Sequence, residues 1–180
     1  MGAHMKKLNK EQLNRLFIDG LGSAVEKVED ITAKPLLIDI RRPYPIKLRV
    51  YLYNCTNPPG GRALDEYKIQ LIVPEQARGQ RGTLDYSGGR LAILAAFARV
   101  SDRLDDGVFV LWDADKHVEF SYSANLQVKA ETLIEALCLP VAQGTRSNNE
   151  IVLASRPKHL LSAIEMRIDI MTKDIQGDKL

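Results

Sequence analysis

Metal-binding side chains are scarce in this chain of 180 residues. It has two cysteines, Cys55 and Cys138, and three histidines, of which His4 lies in the opening Met-Gly-Ala-His-Met. That opening reads as a vector-derived remnant and is set aside as residues 1–5. With only His117 and His159 left, no zinc site of several Cys and His ligands can be assembled. Two cysteines without a secretory signal are expected to be reduced thiols in the cytoplasm. No apolar run approaches the ~20 residues of a membrane-spanning helix, which excludes insertion. The chain also lacks a Gly-x-x-x-x-Gly-Lys-Ser/Thr phosphate loop and a Gly-x-Ser-x-Gly nucleophile elbow. Trp112 and Tyr51, Tyr53, Tyr67, Tyr86 and Tyr122 read as core or half-buried sheet residues rather than stacking platforms.

Net charge is small, +2, but unevenly spread. Acids gather near the amino-terminal helix and around Asp102 to Asp106, whereas Arg41, Arg42, Lys47, Arg62, Lys68, Arg78, Arg81 and Arg90 occupy the middle. No basic amphipathic helix carries these cations; they sit in loops beside strands, a placement that suits a polyanion better than a membrane.

Residues 8 to 28 place Leu13, Leu16, Phe17, Leu21 and Val25 at helical spacing, with Gly20 and Gly22 weakening the middle, as one interrupted helix or two short ones. Strand patterns follow at 36–40 (LLIDI), 46–55 (IKLRVYLYNC), 66–73 (EYKIQLIV), 91–100 (LAILAAFARV), 107–114 (GVFVLWDA), 125–129 (NLQVK) and 150–155 (EIVLAS). The alternation of Leu48, Val50 and Leu52 with Lys47, Arg49, Tyr51 and Tyr53 implies a sheet with one wet face. Helices return at "ETLIEALC" and at "RPKHLLSAIEMRI", where Pro157 suits a helix start. The closing "TKDIQGDKL" is polar and is expected to fray. About seven strands without regular strand–helix alternation argue for an α+β chain: a mixed, mostly antiparallel seven-stranded open barrel or sandwich with helices at its ends. One domain is expected over residues 6–172, followed by a polar tail at 173–180.

Two constellations compete for the chemistry. In the first, Glu66 and Lys68 share one face of a strand and Asp39 lies upstream, the residue types with which a PD-(D/E)xK-like endonuclease holds magnesium beside a scissile phosphate. A weaker version pairs Asp113 or Asp115 with Gln127 and Lys129. In the second, no residue is catalytic and no cofactor is needed. Arg62, Arg78, Arg81, Arg90, Arg41, Arg42, Lys68, Lys116, His117 and Lys129 would grip double-stranded DNA, while Asn54, Gln127, Asn148 and Asn149 have the amide geometry to read adenine. An interaction module with no nucleic-acid role is a third reading that the modest charge leaves open.

The run "LRVYLYNCTN…EYKIQL…LAILAAF…VFVLWDADKH…LQVK…NNEIVLASRP" resembles a prokaryotic module associated with restriction endonucleases, over about Leu36 to Ile168. The architecture it brings closest is the DNA-recognition pseudobarrel of EcoRII-type and BfiI-type restriction enzymes, similar to the plant B-three domain. That resemblance implies two arms in the major groove, one from Asn54 to Lys68 and one from about Asp113 to Lys129. It also implies a nuclease domain elsewhere in the parent chain or complex. The amino-terminal helix and the long third loop depart from the pattern. On balance the sequence points to a target-binding module for double-stranded DNA.

Overall fold

The computed structural model describes residues 6–57 and 65–177. The chain opens with helix α1 (Lys10–Leu21), whose start is fixed by a capping box: the Asn9 side chain accepts from the Gln12 backbone, and the Gln12 side chain accepts from the Asn9 backbone. Both glycines of this segment have a structural reason. A Cβ on Gly20 would lie 2.9 Å from the Pro157 carbonyl oxygen, and Gly22 takes φ 54° where the helix ends. The helix therefore stops at Leu21, and residues expected to continue it form strand β1 (Val25–Val28) instead.

Strands β2 (Leu36–Ile40), β3 (Ile46–Cys55), β4 (Glu66–Leu71), β5 (Gly82–Thr83), β6 (Leu91–Ala98), β7 (Val108–Trp112), β8 (Glu119–Phe120) and β9 (Ala124–Lys129) follow. Helix α2 (Ala130–Glu135), strands β10 (Ala142–Thr145) and β11 (Ile151–Ser155) and helix α3 (Leu160–Gly177) complete the chain. All seven expected strands are present. The additional β1, β5, β8 and β10 are short, and residues 172–177 continue α3 rather than fraying.

Seven strands form one sheet in the order β1-β2-β3-β6-β7-β11-β10, antiparallel throughout except for the parallel pair β3–β6. The fold is thus α+β, built on a mostly antiparallel sheet. β1 and β10 are its edges, and no ladder among the described residues joins them; the sheet is open, not a closed barrel.

Across the central strands of this sheet neither face is wet. On one side α1 and α3 cover Leu36, Ile38, Leu48, Val50, Leu52, Phe97, Phe109 and Leu111. On the other, Tyr51, Tyr53, Leu94, Ala96, Val110 and Trp112 are buried beneath the antiparallel ribbon β4–β9, together with Leu84, Phe120 and α2. The expectation of an exposed face on β3 fails because the excursion between β3 and β6 folds back over the sheet. Arg49, placed by alternation in water, is buried and donates to the Asp85 and Ser87 carbonyl oxygens at 2.8 and 3.0 Å. Central strand β6 accordingly reads as an unbroken apolar run, its alanines leaving room for both layers. The glycine before β7 is equally constrained: a Cβ on Gly107 would fall 1.8 Å from the Phe97 ring.

Candidate nucleic-acid interface

The ribbon β4–β9 is the place where the two expected arms meet. Their closing strands pair antiparallel, aligning Glu66 with Lys129, Lys68 with Gln127 and Gln70 with Asn125. Alternation divides the ribbon into two faces. Ile69, Leu71, Leu126 and Val128 point inward and are buried, each stabilising the attachment by roughly 1.5–3 kcal/mol. The opposite face presents Glu66, Lys68, Gln70, Asn125, Gln127 and Lys129, three cross-strand pairs of polar side chains with no apolar member. Lys68 Nζ donates to Asn125 Oδ1 at 3.0 Å. A two-stranded ribbon of six residues is about 20 Å long and narrow enough for a major groove about 12 Å wide.

The two flanks of the ribbon differ. On the β4 side a cavity of about 570 Å³ opens between the ribbon, β3 and the start of α1. Lys7, Lys10, Lys34 and Lys68 line it, and no acidic residue does among the described residues. On the β9 side a cavity of about 650 Å³ is bordered by Asp65, Glu66, Glu131 and Glu135, with Lys129 and Arg146.

Beneath the β9 flank lies a buried polar network. Glu150, fully buried, accepts from the Asp113 backbone at 2.9 Å, binds His117 Nε2 with both oxygens at 2.9 Å, and pairs with Arg146. Arg146 also donates to Gln127 Oε1 at 2.9 Å, tying the network to the ribbon. Burial pushes the Glu150 carboxyl upward, but the His117 and Arg146 hydrogen bonds outweigh it and hold the group below the usual carboxylate range. Arg167, also buried, lies 3.6 Å from Asp113.

The residues expected to contact DNA are distributed accordingly. Lys68, Gln127 and Lys129 share the outer face of the ribbon. Lys116 is exposed on the single turn after β7, while His117 beside it turns inward to Glu150 rather than outward. Asn54 is occupied by the amino-terminal segment, exchanging two hydrogen bonds with the Leu8 backbone. Arg81 pairs with Glu119, and Arg78 is exposed on the same loop. Arg41 and Arg42 are exposed at the β2–β3 turn, Arg41 donating to the Val25 carbonyl. Arg90 is half-buried and binds Asp39 at 3.0 Å, Glu29 at 3.1 Å and the Leu48 carbonyl. Arg62 lies outside the described residues.

Asp39, Glu66 and Lys68 are not brought together. Asp39 pairs with Lys47 and Lys68 with Thr56, nine positions further along the same extended chain, a separation of about 30 Å. No group of three or more His, Cys, Asp or Glu able to hold a metal ion exists among the described residues.

Sequence reasoning missed Gln70 and Asn125 on the ribbon and the lysines at positions 7, 10 and 34 around the cavity. The first two were within reach: they continue the period-two series of Lys68 and of Gln127 and Lys129. The lysines come from two segments, the amino-terminal stretch and the turn before β2, that only the tertiary structure brings together.

No helix of the described residues is long and apolar enough to cross a membrane. No curated protein and no solved structure matches the chain. The family model of methylase-associated X1 matches residues 46–164, well over half of the sequence and the whole of the ribbon, so the chain belongs to that methylase-associated family, a restriction–modification context.

Proposed function

We propose that the protein is a target-reading module for double-stranded DNA in a restriction–modification system, with cutting or modifying chemistry carried by another domain or subunit. The observation that carries this reading is the outer face of the ribbon, where amides and lysines stand in cross-strand register on a buried, rigid base. Gln70, Asn125 and Gln127 supply the amide pairs that recognise adenine edges, and Lys68 and Lys129 supply guanine or phosphate contacts. The methylase association of the family supports the same reading. The acidic border on the β9 flank gives the approach a direction, because a phosphate backbone is repelled there and accepted on the β4 side.

The test puts labelled duplex DNA of mixed sequence, methylated and unmethylated, with the protein in magnesium and again in chelator. Metal-independent retention that falls steeply with salt is expected. Replacing Gln70 and Asn125 together by alanine should lower affinity for a selected site by about tenfold or more and relax its sequence preference, since each good bidentate base contact is worth about 1–3 kcal/mol. Lys116→Ala should weaken binding more uniformly across sequences, and Glu66→Ala should leave it largely intact. Failure to retain any duplex at low salt would overturn the proposal. So would magnesium-dependent cutting that disappears in Lys68→Ala, which would place a nuclease centre on the ribbon.

A further inference from the structure

Arg146 reaches the ribbon from a tight hairpin turn. Between β10 and β11 the sequence Arg146-Ser147-Asn148-Asn149-Glu150 closes with two backbone bonds of 2.9 Å: the Arg146 N–H donates to the Glu150 carbonyl oxygen, and the Asn149 N–H to the Arg146 carbonyl oxygen. Asn149 takes φ 65°, a left-handed conformation that asparagine tolerates, and the Asn148 side chain accepts from the Glu150 N–H at 3.1 Å. Residues 146 and 150 are thereby brought side by side, and their side chains pair. Glu150 is immobilised in turn by His117 and the Asp113 backbone. The Arg146 side chain, only 19% exposed, divides its fork: Nη1 goes to Glu150 and Nη2 to Gln127 Oε1.

Gln127 is held twice. The indole N–H of Trp112, wholly buried in the main sheet, donates to its carbonyl oxygen at 3.0 Å, which fixes the backbone. Arg146 Nη2 donates to its Oε1 at 2.9 Å, which fixes the side chain. A guanidinium carries only N–H donors, so the amide can meet it only through oxygen. Turning the amide over would set its amino group against another donor. The orientation of Gln127 is therefore decided by chemistry, with Oε1 toward Arg146 and Nε2 away from it. At Asn125, on the same face of β9, Lys68 Nζ acts in the same way, because an ammonium also lacks an acceptor. There both partners belong to the ribbon; at Gln127 the orienting group belongs to the network beneath.

For a base reader, orientation is specificity. An amide that reads adenine donates from its nitrogen to N7 and accepts with its oxygen from the N6 amino group. An amide oxygen has two lone pairs, so Oε1 can accept from Arg146 and still serve a base. Guanine offers N7 to the amino group but sets its O6 acceptor against Oε1, and the pyrimidines offer no N7. An amide that turns over freely loses that distinction, because its donor and acceptor ends exchange. Holding it in advance also removes rotamer freedom that binding would otherwise have to freeze. We infer that Arg146, held by Glu150, is a positioning residue for base recognition: it fixes the Gln127 amide so that this point of the ribbon takes adenine in preference to the other bases. This role rests on the DNA-reading proposal and extends it to a residue that itself touches no base.

The experiment selects binding sites from a random duplex library with the wild type, Gln127→Ala and Arg146→Lys, and measures affinity for the selected site and its single-base variants by fluorescence anisotropy. Lysine keeps a positive charge beside Glu150 but, as a single ammonium, lacks the fork that spans Glu150 and Gln127 at once. Gln127→Ala identifies the base pair that Gln127 reads, as the position where the preference for adenine falls about tenfold. Arg146→Lys should relax the same position by a similar factor and leave preference at the others intact, and the double variant should do no more than either alone. In parallel, NMR relaxation of the side-chain amide nitrogen, assigned by its absence in Gln127→Ala, should show the Gln127 amide ordered in the wild type without DNA and mobile in Arg146→Lys. A role confined to stability would lower Tm or affinity evenly across sequences, with base preference and amide order unchanged, and that result overturns the assignment. So does a Gln127 amide that already turns freely in the wild type, a result that does not depend on Arg146→Lys folding. If the wild type prefers a site and Arg146→Lys alters none of that preference, the positioning role falls and the ribbon stands. If the wild type retains no duplex at low salt, the DNA-reading proposal falls and the positioning role with it.

Discussion

The two flanks of the β4–β9 ribbon handle positive charge in opposite ways. On the β9 side Arg146 and His117 converge on one buried carboxylate, Glu150, and the network closes on itself. On the β4 side Lys7, Lys10, Lys34 and Lys68 line a cavity that no carboxylate lines among the described residues. A cation held by a buried counterion is part of the scaffold, whereas the exposed Lys7 and Lys10 stay open to solvent. Basic residues counted along a sequence do not reveal that division, because the partner that decides it can lie dozens of positions away. Arg90 and Glu29 are such a pair.

The largest effect is expected from removing the counterion on the β9 side. Glu150→Gln leaves Arg146 confined without its charge partner and weakens the hydrogen bonds from His117 and the Asp113 backbone. Destabilisation of about 3–5 kcal/mol is expected, measured by denaturant unfolding. The pH dependence has a defined sign. The Glu150 carboxyl is held below its ordinary value of 4.5, so its contribution is fully present above that value and is lost as pH falls through the lower folded one. The wild type should lose stability in that acid range more steeply than Glu150→Gln.

A smaller effect is expected from Arg90→Met. It leaves Asp39 and Glu29 without the guanidinium, but both carboxylates retain some solvent. A loss of about 2 kcal/mol in stability is expected, with DNA affinity unchanged. A selective loss of DNA affinity in a stably folded variant would return Arg90 to the recognition surface, where its sequence position first suggested it belonged.

Strands were legible in the sequence because strand periodicity is a local property: all seven expected ones are present, five in the main sheet and two in the ribbon, whereas the sheet edges β1 and β10 fell in segments read as helix and as loop. Coverage was not legible. Alternation in β3 spoke for one wet face, yet Tyr51 and Tyr53 are buried, because an amphipathic strand does not reveal whether a later ribbon will cover its polar-looking side. The helix expected across 8–28 ended early for a backbone reason, the positive φ at Gly22. Within the site, Lys68, Gln127 and Lys129 were named from the two expected arms, but that their strands pair with one another was not foreseen. His117 read as a DNA contact because Glu150, its partner, is 33 positions away.

The smallest predicted effect tests the β4 side directly. Lys34→Met removes a charge that burial disfavours while keeping most of the apolar stem. The folded protein binds the Lys34 proton less tightly, at about 8, than the ordinary value of 10.5, so between those values the unfolded chain holds more protons and wild-type stability should rise with pH. The penalty is therefore fully present near neutral pH and gone above the upper value. Loss of the contact with the Tyr53 ring, worth about 0.5–1 kcal/mol, offsets part of the gain. Lys34→Met should then be more stable than the wild type by about 1–2 kcal/mol near pH 7, a rise of several degrees in Tm, and the advantage should vanish in alkaline solution. Destabilisation at neutral pH would mean that Lys34 has a counterion after all, and the two flanks would no longer differ.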